Sequence, residues 1–293
     1  MLASQRMSGT SCTDDKLAVV VPTYNRWELT VRAINSVVTE RPDRVEIVVV
    51  DDCSVPPFRF DERTNVNGVS VRVLRATSNG GPGRARRLAI EHCDAATIAF
   101  LDSDDVYASG WCDEALRQIE CLGPRQKDGL FLAGFVNNGS IVHSCWFSIA
   151  RNMPPRTRTF FVRLTAMFFN PFYTPSVVAS RQICDFSEPL RFCEDYHMNA
   201  LALFRAKKLV LSRAAACYLS RRPGSIGGES SVNSRMFSGE MMVRRALLKS
   251  HHLPLMYKVL IPFGMLYQIL RSVLKLLLGV RSRTASPAAA FFV

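Results

Sequence analysis

The sequence predicts an α/β protein in which a mixed, mostly parallel sheet is flanked by helices and followed by an amphipathic helical tail. Three observations support this fold class. Short apolar runs alternate with segments of helical periodicity in the first half of the chain. A polar motif follows each of the four apolar runs in that half. The stretch from Met241 to Val293 carries eight Lys and Arg residues and no Asp or Glu.

The four apolar runs predict buried strands, because continuous Val and Ile runs are typical of parallel strands that are covered on both faces. They are "LAVVV" (17–21), "VEIVVV" (45–50), "VSVRVL" (69–74) and "TIAFL" (97–101). Three helices alternate with them. Leu29, Ala33, Ile34 and Val37 share one helical face, "RARRLAIEH" opens after a glycine turn, and "GWCDEALRQIECL" follows the fourth run. This alternation predicts βαβ units.

The pattern changes after Gly129. "LFLAGFV" and "IVHSCWFSI" predict an antiparallel strand pair across "NNGS", and "TPSVVAS" predicts a further strand. A helix is expected from about Glu194. We therefore divide the chain into a flexible N-terminus (1–16), a first half (17–128), a second half (129–235) and a basic amphipathic tail (236–293).

Composition narrows the class of protein. A chain of 293 residues with 48% hydrophobic and 21% charged residues is typical of a globular protein. Its nine cysteines are odd in number and form no CxxC pair, which predicts free thiols in a reducing compartment. The first residues contain no apolar run like that of a signal peptide, so we expect a cytoplasmic protein.

Four polar motifs are expected at one edge of the sheet, because ligands of parallel α/β sheets bind outside the carboxyl ends of the strands. The motifs are "PTYN", "DD", "NGGPG" and "DSDD". Asp102, Asp104 and Asp105 favour either a Mg²⁺ or Mn²⁺ site or a helix start with acidic residues. "NGGPGRARR" favours either a phosphate site or an ordinary turn before a basic helix.

In order and spacing, "VVVPTYNRWELTVRAINSV", "EIVVVDDCS", "NGGPGRARRLAI" and "IAFLDSDD" resemble the successive motifs of the family-two inverting glycosyltransferases, which have the GT-A fold. The resemblance continues to "FCEDYHMNALALFRA" and "CYLSRRPGSIGGES" and covers roughly residues 17 to 230. It implies an enzyme of bacterial polysaccharide biosynthesis. Residues 17–128 become the nucleotide-sugar-binding half and residues 129–235 the acceptor-binding half.

The resemblance also implies residue roles in binding a nucleotide-sugar donor, with UDP preferred. The base pocket is assigned to Pro22, Thr23, Tyr24, Asp51 and Asp52. The donor diphosphate is assigned to Arg84 or Arg86, with Arg222 on a flexible covering loop.

The remaining implied roles concern the metal and the chemistry. Asp104 is expected to bind Mg²⁺ or Mn²⁺, with Asp102 near the metal or the ribose. Glu194 and Asp195 match the acceptor-side motif, and Asp195 is expected to act as the general base. The sugar would pass to a hydroxyl group of a saccharide or lipid-linked acceptor with inversion.

Two other functions compete with this interpretation. A sugar-phosphate nucleotidyltransferase shares the layered fold, but "PTYNR" lacks the glycine- and lysine-rich signature expected near its first strand. A nucleic-acid-binding protein is suggested by the net charge of +12. However, such a protein would have basic residues interleaved with aromatic ones on one surface, whereas the basic excess here lies in the tail. We therefore expect no nucleic-acid partner.

The tail predicts an amphipathic helix. Its apolar stripe consists of Leu266, Ile269, Leu270, Val273, Leu274 and Leu277, opposite Gln268, Arg271, Ser272 and Lys275. The apolar run between Lys258 and Arg271 is too short to span a bilayer, which needs about 20 residues. We expect either an interfacial helix on the inner face of the plasma membrane or a helix packed back on the domain. The first alternative would suit a lipid-linked acceptor.

Overall fold

The computed structural model describes residues 13–60, 65–122, 129–137, 141–186, 190–218 and 232–277. Within these ranges eight strands form one sheet in the order β3-β2-β1-β4-β7-β6-β8-β5. The strands are β1 (Thr13–Thr23), β2 (Val45–Asp51), β3 (Ser70–Arg75), β4 (Ala95–Phe100), β5 (Val106–Tyr107), β6 (Leu130–Asn137), β7 (Val177–Ser180) and β8 (Lys208–Tyr218).

Helices lie on both sides of this sheet. They are α1 (Trp27–Asn35), α2 (Pro82–His92), α3 (Trp111–Glu120), α4 (Ile141–Asn152), α5 (Pro155–Thr165), α6 (Glu194–Arg205), α7 (Val232–Lys249), α8 (Leu255–Lys258) and α9 (Ile261–Leu277). Short 3₁₀ turns precede β2 and β7 and follow β7.

The four strands predicted for the first half are confirmed, and β3, β2, β1 and β4 run parallel to one another. β1 begins at Thr13, four residues before the predicted strand and within the segment assigned to the N-terminus. In the second half β7 pairs antiparallel with both β4 and β6, and β8 runs parallel to β6. The sheet is therefore mixed, as the sequence predicts.

The strand pair predicted across "NNGS" is wrong in its second member. Residues Ile141–Asn152 form helix α4 instead of a strand. Phe147 and Ala150 are buried whereas Ile149 is 57% exposed, which is the spacing of a helix. In a strand Phe147 and Ile149 would have shared one face. The partners of β6 are β7 and β8. The prediction failed because a short apolar run does not distinguish a strand from a buried helix.

Alternate residues of each strand point to opposite faces of the sheet, and helices cover both faces. Ala18 and Val20 of β1 pack in a core that includes Ala85 and Ala89 of α2. On the opposite face, Val19 belongs to a core with residues of α1 and α3. This packing explains the continuous apolar runs and leaves the carboxyl ends of β1, β2 and β4 at a common edge.

The tail helices extend the core on the α2 side of the sheet. Val243, Leu247, Leu253, Tyr257 and Ile261 are buried in the same cluster as residues of α2 and α6. Across the described ranges, no helix has the length and hydropathy that crossing a bilayer requires. Residues 278–293 lie outside those ranges.

Candidate active site

The turn after β1 is fixed by its own polar groups. Thr23 is buried, and its Oγ1 lies 2.6 Å from Thr30 Oγ1 on α1. Asn25 donates its backbone N–H to Ser54 Oγ at 2.8 Å and accepts the Val55 N–H on Oδ1 at 2.8 Å. Pro22 is buried as well, whereas Tyr24 is 46% exposed. Of the three base-pocket residues at this turn, Pro22, Thr23 and Tyr24, only Tyr24 presents a broad accessible surface.

Asp51 is fully buried at the end of β2 and organises the loop that follows. Its Oδ1 accepts the Ser54 N–H at 2.8 Å, its Oδ2 accepts the Phe58 N–H at 3.0 Å, and Arg75 forms an ion pair with it. Burial raises the pKa of Asp51, but these hydrogen bonds and the Arg75 charge outweigh it and hold the pKa below its ordinary value. Both carboxylate oxygens therefore have protein partners.

Asp52 supports the glycine turn at the start of α2. Its Oδ1 accepts the Gly80 N–H at 2.9 Å and its Oδ2 accepts the Gly81 N–H at 2.7 Å. Gly81 has a φ of 85°, a conformation that favours glycine. Arg84 is exposed on this turn and donates to Ser78 Oγ at 2.8 Å. The "DD" and "NGGPG" motifs are thus joined directly, as their shared edge predicts.

Arg86 connects the two halves of the chain at this edge. Its guanidinium donates from Nη2 to Asp102 Oδ1 at 2.6 Å and from Nη1 to Glu194 Oε1 at 2.8 Å. The side chain is only 4% exposed. Burial by itself would lower the pKa of Arg86, but Asp102, Glu194 and Asp195 raise it above its ordinary value. Arg86 therefore remains a fixed buried cation between β4 and α6.

The three carboxylates after β4 have different environments. Asp102 is 33% exposed and Asp104 is 19% exposed, whereas Asp105 is buried. The Asp105 N–H donates to the Asp102 carbonyl at 3.0 Å and closes a turn. Arg26 Nη1 donates to Asp104 Oδ2 at 3.1 Å, and Arg32 Nη2 donates to the Asp104 carbonyl at 2.7 Å. Asp102 and Asp104 are thus the accessible pair.

This pair has the donor chemistry of a site for a hard divalent cation. Each carboxylate has one oxygen bonded to an arginine, Asp102 to Arg86 and Asp104 to Arg26. Mg²⁺ commonly takes one or two carboxylates and completes its coordination with water and phosphate oxygens. Within the part of the chain that the structure describes, no group of three or more His, Cys, Asp or Glu residues is arranged to hold a metal ion. The side chains fit such a partial site rather than a complete protein cage.

Glu194 and Asp195 begin helix α6, as predicted. Asp195 Oδ2 accepts hydrogen bonds from Thr174 Oγ1 at 3.1 Å and Asn170 Nδ2 at 3.3 Å. Its Oδ1 accepts the Tyr196 N–H at 2.8 Å. These bonds orient the carboxylate from two sides.

The electrostatics of the two acids favour proton uptake. Burial raises the pKa of Glu194 to about 7, Arg86 opposes the shift, and the neighbouring Asp195 charge adds to it. Burial also raises the pKa of Asp195. Because the two carboxyl groups interact, they titrate as a pair. The pair is suited to accept a proton near neutral pH.

Arg26, Asn170 and Thr174 were not among the residues singled out from the sequence. Arg26 directly follows "PTYN", so its place beside the first polar motif could have identified it as a site residue. Asn170 and Thr174 lie 25 and 21 residues before Asp195 and belong to no motif. Arg222 lies outside the described residues.

Comparison with known proteins identifies a matching family and a matching fold. Residues 18–174 match the family model described as "Glycosyl transferase family 2". A Rhizobium meliloti relative, "Succinoglycan biosynthesis protein ExoO", is 28% identical over 71% of this chain and 61% of its own length. The Staphylococcus aureus "Poly(ribitol-phosphate) beta-N-acetylglucosaminyltransferase TarS" is 27% identical over 71% of this chain and 36% of its own. The matched parts therefore span less than two thirds of either relative.

Two solved structures share the fold. The S. aureus protein TarS 1-349, in complex with UDP-GlcNAc, has a TM-score of 0.62 at 20% identity, covering 91% of this chain and 76% of that one. A mannosyltransferase from Pyrobaculum calidifontis, in complex with GDP-Man and Mn²⁺, has a TM-score of 0.55 at 13% identity, covering 94% and 78%. Both likenesses support the GT-A type of sheet and helix arrangement.

Proposed function

The chain belongs to glycosyl transferase family 2, and we propose that it is an inverting glycosyltransferase that moves a sugar from a nucleotide-sugar, preferably a UDP-sugar, to an acceptor hydroxyl group. One observation carries this proposal above the others. Arg86 joins Asp102 of the strand edge to Glu194, which precedes Asp195 on α6. The predicted donor-side residue Asp102 and Glu194, the residue next to the predicted base, are therefore joined through one guanidinium.

The donor would lie along the edge formed by β1, β2 and β4. Tyr24 is exposed and would stack on the base. Asp52 and the glycine turn, which are hydrogen-bonded to each other, would line the pocket next to the base. The complex of TarS with UDP-GlcNAc supports UDP as the nucleotide. Arg84, on the exposed side of that turn, would contact the diphosphate.

A divalent cation would be held by Asp104 with Asp102. When bound it would neutralise the charge that develops on the leaving diphosphate. The Mn²⁺ in the P. calidifontis mannosyltransferase complex supports this choice of ion.

Asp195 would act as the general base on the acceptor side. The acceptor oxygen forms a bond to the anomeric carbon while the bond from that carbon to the phosphate oxygen breaks. The hydroxyl proton passes to Asp195, and the nucleoside diphosphate leaves. Thr174 and Asn170 hold the Asp195 carboxylate in one orientation, which would position it for proton transfer. A single direct displacement would invert the configuration of the sugar.

The acceptor is proposed to be a saccharide or a lipid-linked saccharide of bacterial polysaccharide assembly. The name of the relative ExoO supports this class. The protein would then act in the cytoplasm, at the inner face of the plasma membrane, to which its basic tail would attach peripherally.

The decisive experiment screens nucleotide-sugars for metal-dependent transfer or hydrolysis by the full chain. Asp104→Ala and Asp195→Asn are expected to lower kcat/KM by at least about a hundredfold, since each removes a group that acts in the transition state. Asp43→Asn, on the exposed surface before β2, is the matched control and should retain full activity. If both site variants retained full transfer, the site assignment would be wrong.

The two competing functions have less support. A sugar-phosphate nucleotidyltransferase is disfavoured by membership of a glycosyl transferase family. Nucleic-acid binding has no observation in its favour beyond net charge. Salt-sensitive DNA binding that survived deletion of the tail would revive it.

A further inference from the structure

Helix α9 packs on the domain with the side that carries Gln268, not with its predicted apolar stripe. Its inward stripe includes Ile261, Gly264 and Gln268, and Gln268 is only 4% exposed. The apolar stripe predicted from the sequence points away from the domain, with Leu266 52% and Leu270 59% exposed. Exposing a stripe of large apolar side chains is unfavourable in water unless another surface covers them.

The outward residues of α9 are preceded by further exposed apolar residues in and after α8. Of the eighteen large hydrophobic side chains that are exposed in the described ranges, ten lie between Leu255 and Leu274. We call this surface the apolar face of α8 and α9; it is represented by Leu255, Val259, Phe263, Leu266, Leu270 and Val273. Scattered exposed leucines are ordinary, but a concentration on two successive helices indicates a docking surface.

The charges of the tail favour one of two occupants of this face. Between Met241 and Val293 the chain has eight cations and no acidic residue. Arg245 and Lys249 are exposed on α7, and Lys258 closes α8. A second copy of the chain would bring cations against cations, whereas an anionic bilayer offers both a hydrocarbon boundary and opposite charge. The observations therefore favour a lipid surface.

The same helix is bonded to the segment that orients the proposed base. The Phe168 carbonyl accepts Gln268 Nε2 at 3.1 Å and Arg244 Nη2 at 2.6 Å. A Cβ at Gly264 would lie 2.3 Å from the Met167 carbonyl oxygen, so α9 touches this backbone directly. Two residues after Phe168, Asn170 donates to Asp195. We call residues 166–174 the base strap.

We propose that the apolar face of α8 and α9 docks on an anionic bilayer, and that the Gln268–Phe168 hydrogen bond transmits docking to the base strap. The acceptor would then be lipid-carried, because docking fixes the acceptor side of the site at the membrane. The role of the strap rests on the proposed function of Asp195. Gln268 and Arg244 are positioning residues in this scheme, since they act through Phe168.

The docking surface is tested by flotation of the full chain with vesicles of phosphatidylcholine alone or mixed with phosphatidylglycerol. We expect binding to the anionic vesicles and about tenfold weaker binding by Leu266→Glu/Leu270→Glu, because charge is placed on the inserted face. Val38→Glu/Ile149→Glu, at exposed apolar sites elsewhere, should bind like the parent. Equal flotation of the parent and the Leu266/Leu270 variant would overturn the proposal. The proposal would also be overturned if the parent formed a dimer that Leu266→Glu/Leu270→Glu dissociates while still binding vesicles.

The coupling is tested by hydrogen–deuterium exchange of peptides from residues 166–174, with and without anionic vesicles. In the parent, exchange should slow by roughly threefold or more on docking, since the strap becomes fixed. Gln268→Leu removes the donor at nearly the same volume; it should float like the parent but show no vesicle-dependent slowing. If vesicles slowed exchange in Gln268→Leu as much as in the parent, the coupling would be overturned. Neither test uses turnover, so failure of the proposed function would not be mistaken for failure of this one.

Discussion

Arg26 donates a hydrogen bond from Nη1 to Asp104 Oδ2 at 3.1 Å, so the carboxylate proposed to bind the metal is paired with an arginine of the first polar motif. The Arg26 side chain is 35% exposed, and the pair is partly open to solvent. If Asp104 binds the proposed divalent cation, Arg26 would compete with that cation for the carboxylate until an anionic donor offers Arg26 another partner.

Arg26→Ala is expected to bind Mn²⁺ alone about tenfold more tightly than the parent, because a competing cation of the carboxylate is removed. Free Mn²⁺ measured by electron paramagnetic resonance gives the affinity without turnover. Arg41→Ala, which removes a surface ion pair with Glu120, is the control and should not change it. Asp104→Ala should weaken Mn²⁺ binding. Unchanged affinity in Arg26→Ala would show that the pair does not compete with the metal.

The pH profile of kcat/KM should fall on the acid side near pH 7. Burial raises the pKa of Glu194 to about 7 and raises that of Asp195, so below this pH the pair keeps its proton and the base is lost. Glu194→Gln removes the like charge beside Asp195 and should move the acid limb down by about one pH unit. Steady-state kinetics between pH 5 and 9, buffers matched for ionic strength, measure this. If the acid limb of Glu194→Gln stayed in place or moved to higher pH, the coupling between Glu194 and Asp195 would be contradicted.

Gly83→Ala should lower both stability and transfer. A Cβ at Gly83 would lie 2.7 Å from Glu194 Cγ, so α2 and α6 must separate or Glu194 must leave Arg86. Alanine favours a helix by about 1 kcal/mol over glycine, but overpacking costs about 1–3 kcal/mol, so a net loss is expected. Urea unfolding measures the change. In a Glu194→Ala background the same substitution should cost little; an equal cost there would point to a clash with another group.

Asp51→Asn should reduce the free energy of unfolding by about 2 kcal/mol at pH 7, since a charged acceptor of two backbone N–H groups is lost. The pKa of Asp51 is lowered in the folded protein, so its stabilisation is present above the unfolded value of about 3.9 and is lost as pH falls through the folded value. The difference from the parent should therefore shrink below about pH 4. Urea titrations at pH 7 and pH 3.5, with Asp43→Asn as the surface control, check both points. A difference that persisted at low pH would mean that shape, not charge, accounts for the role of Asp51.

Pattern predicted the parallel half of the sheet because continuous Val and Ile runs have few other stable placements. It also predicted that "DD" and "NGGPG" lie at one edge of the sheet, and Asp52 accepts the N–H groups of Gly80 and Gly81 there. It misplaced Ile141–Asn152 because a short apolar run fits a strand and a helix equally well until its neighbours are known.

The sequence by itself determined the family, the order of strands and helices up to β4, and the carboxylates at the end of that strand. Tertiary structure alone decided which of these acids pair with arginines, and that Asn170 and Thr174 orient Asp195. It also decided that α9 buries Gln268 and exposes Leu270. Periodicity reports which residues share a face of a helix, but only packing against the rest of the chain selects the face that turns inward.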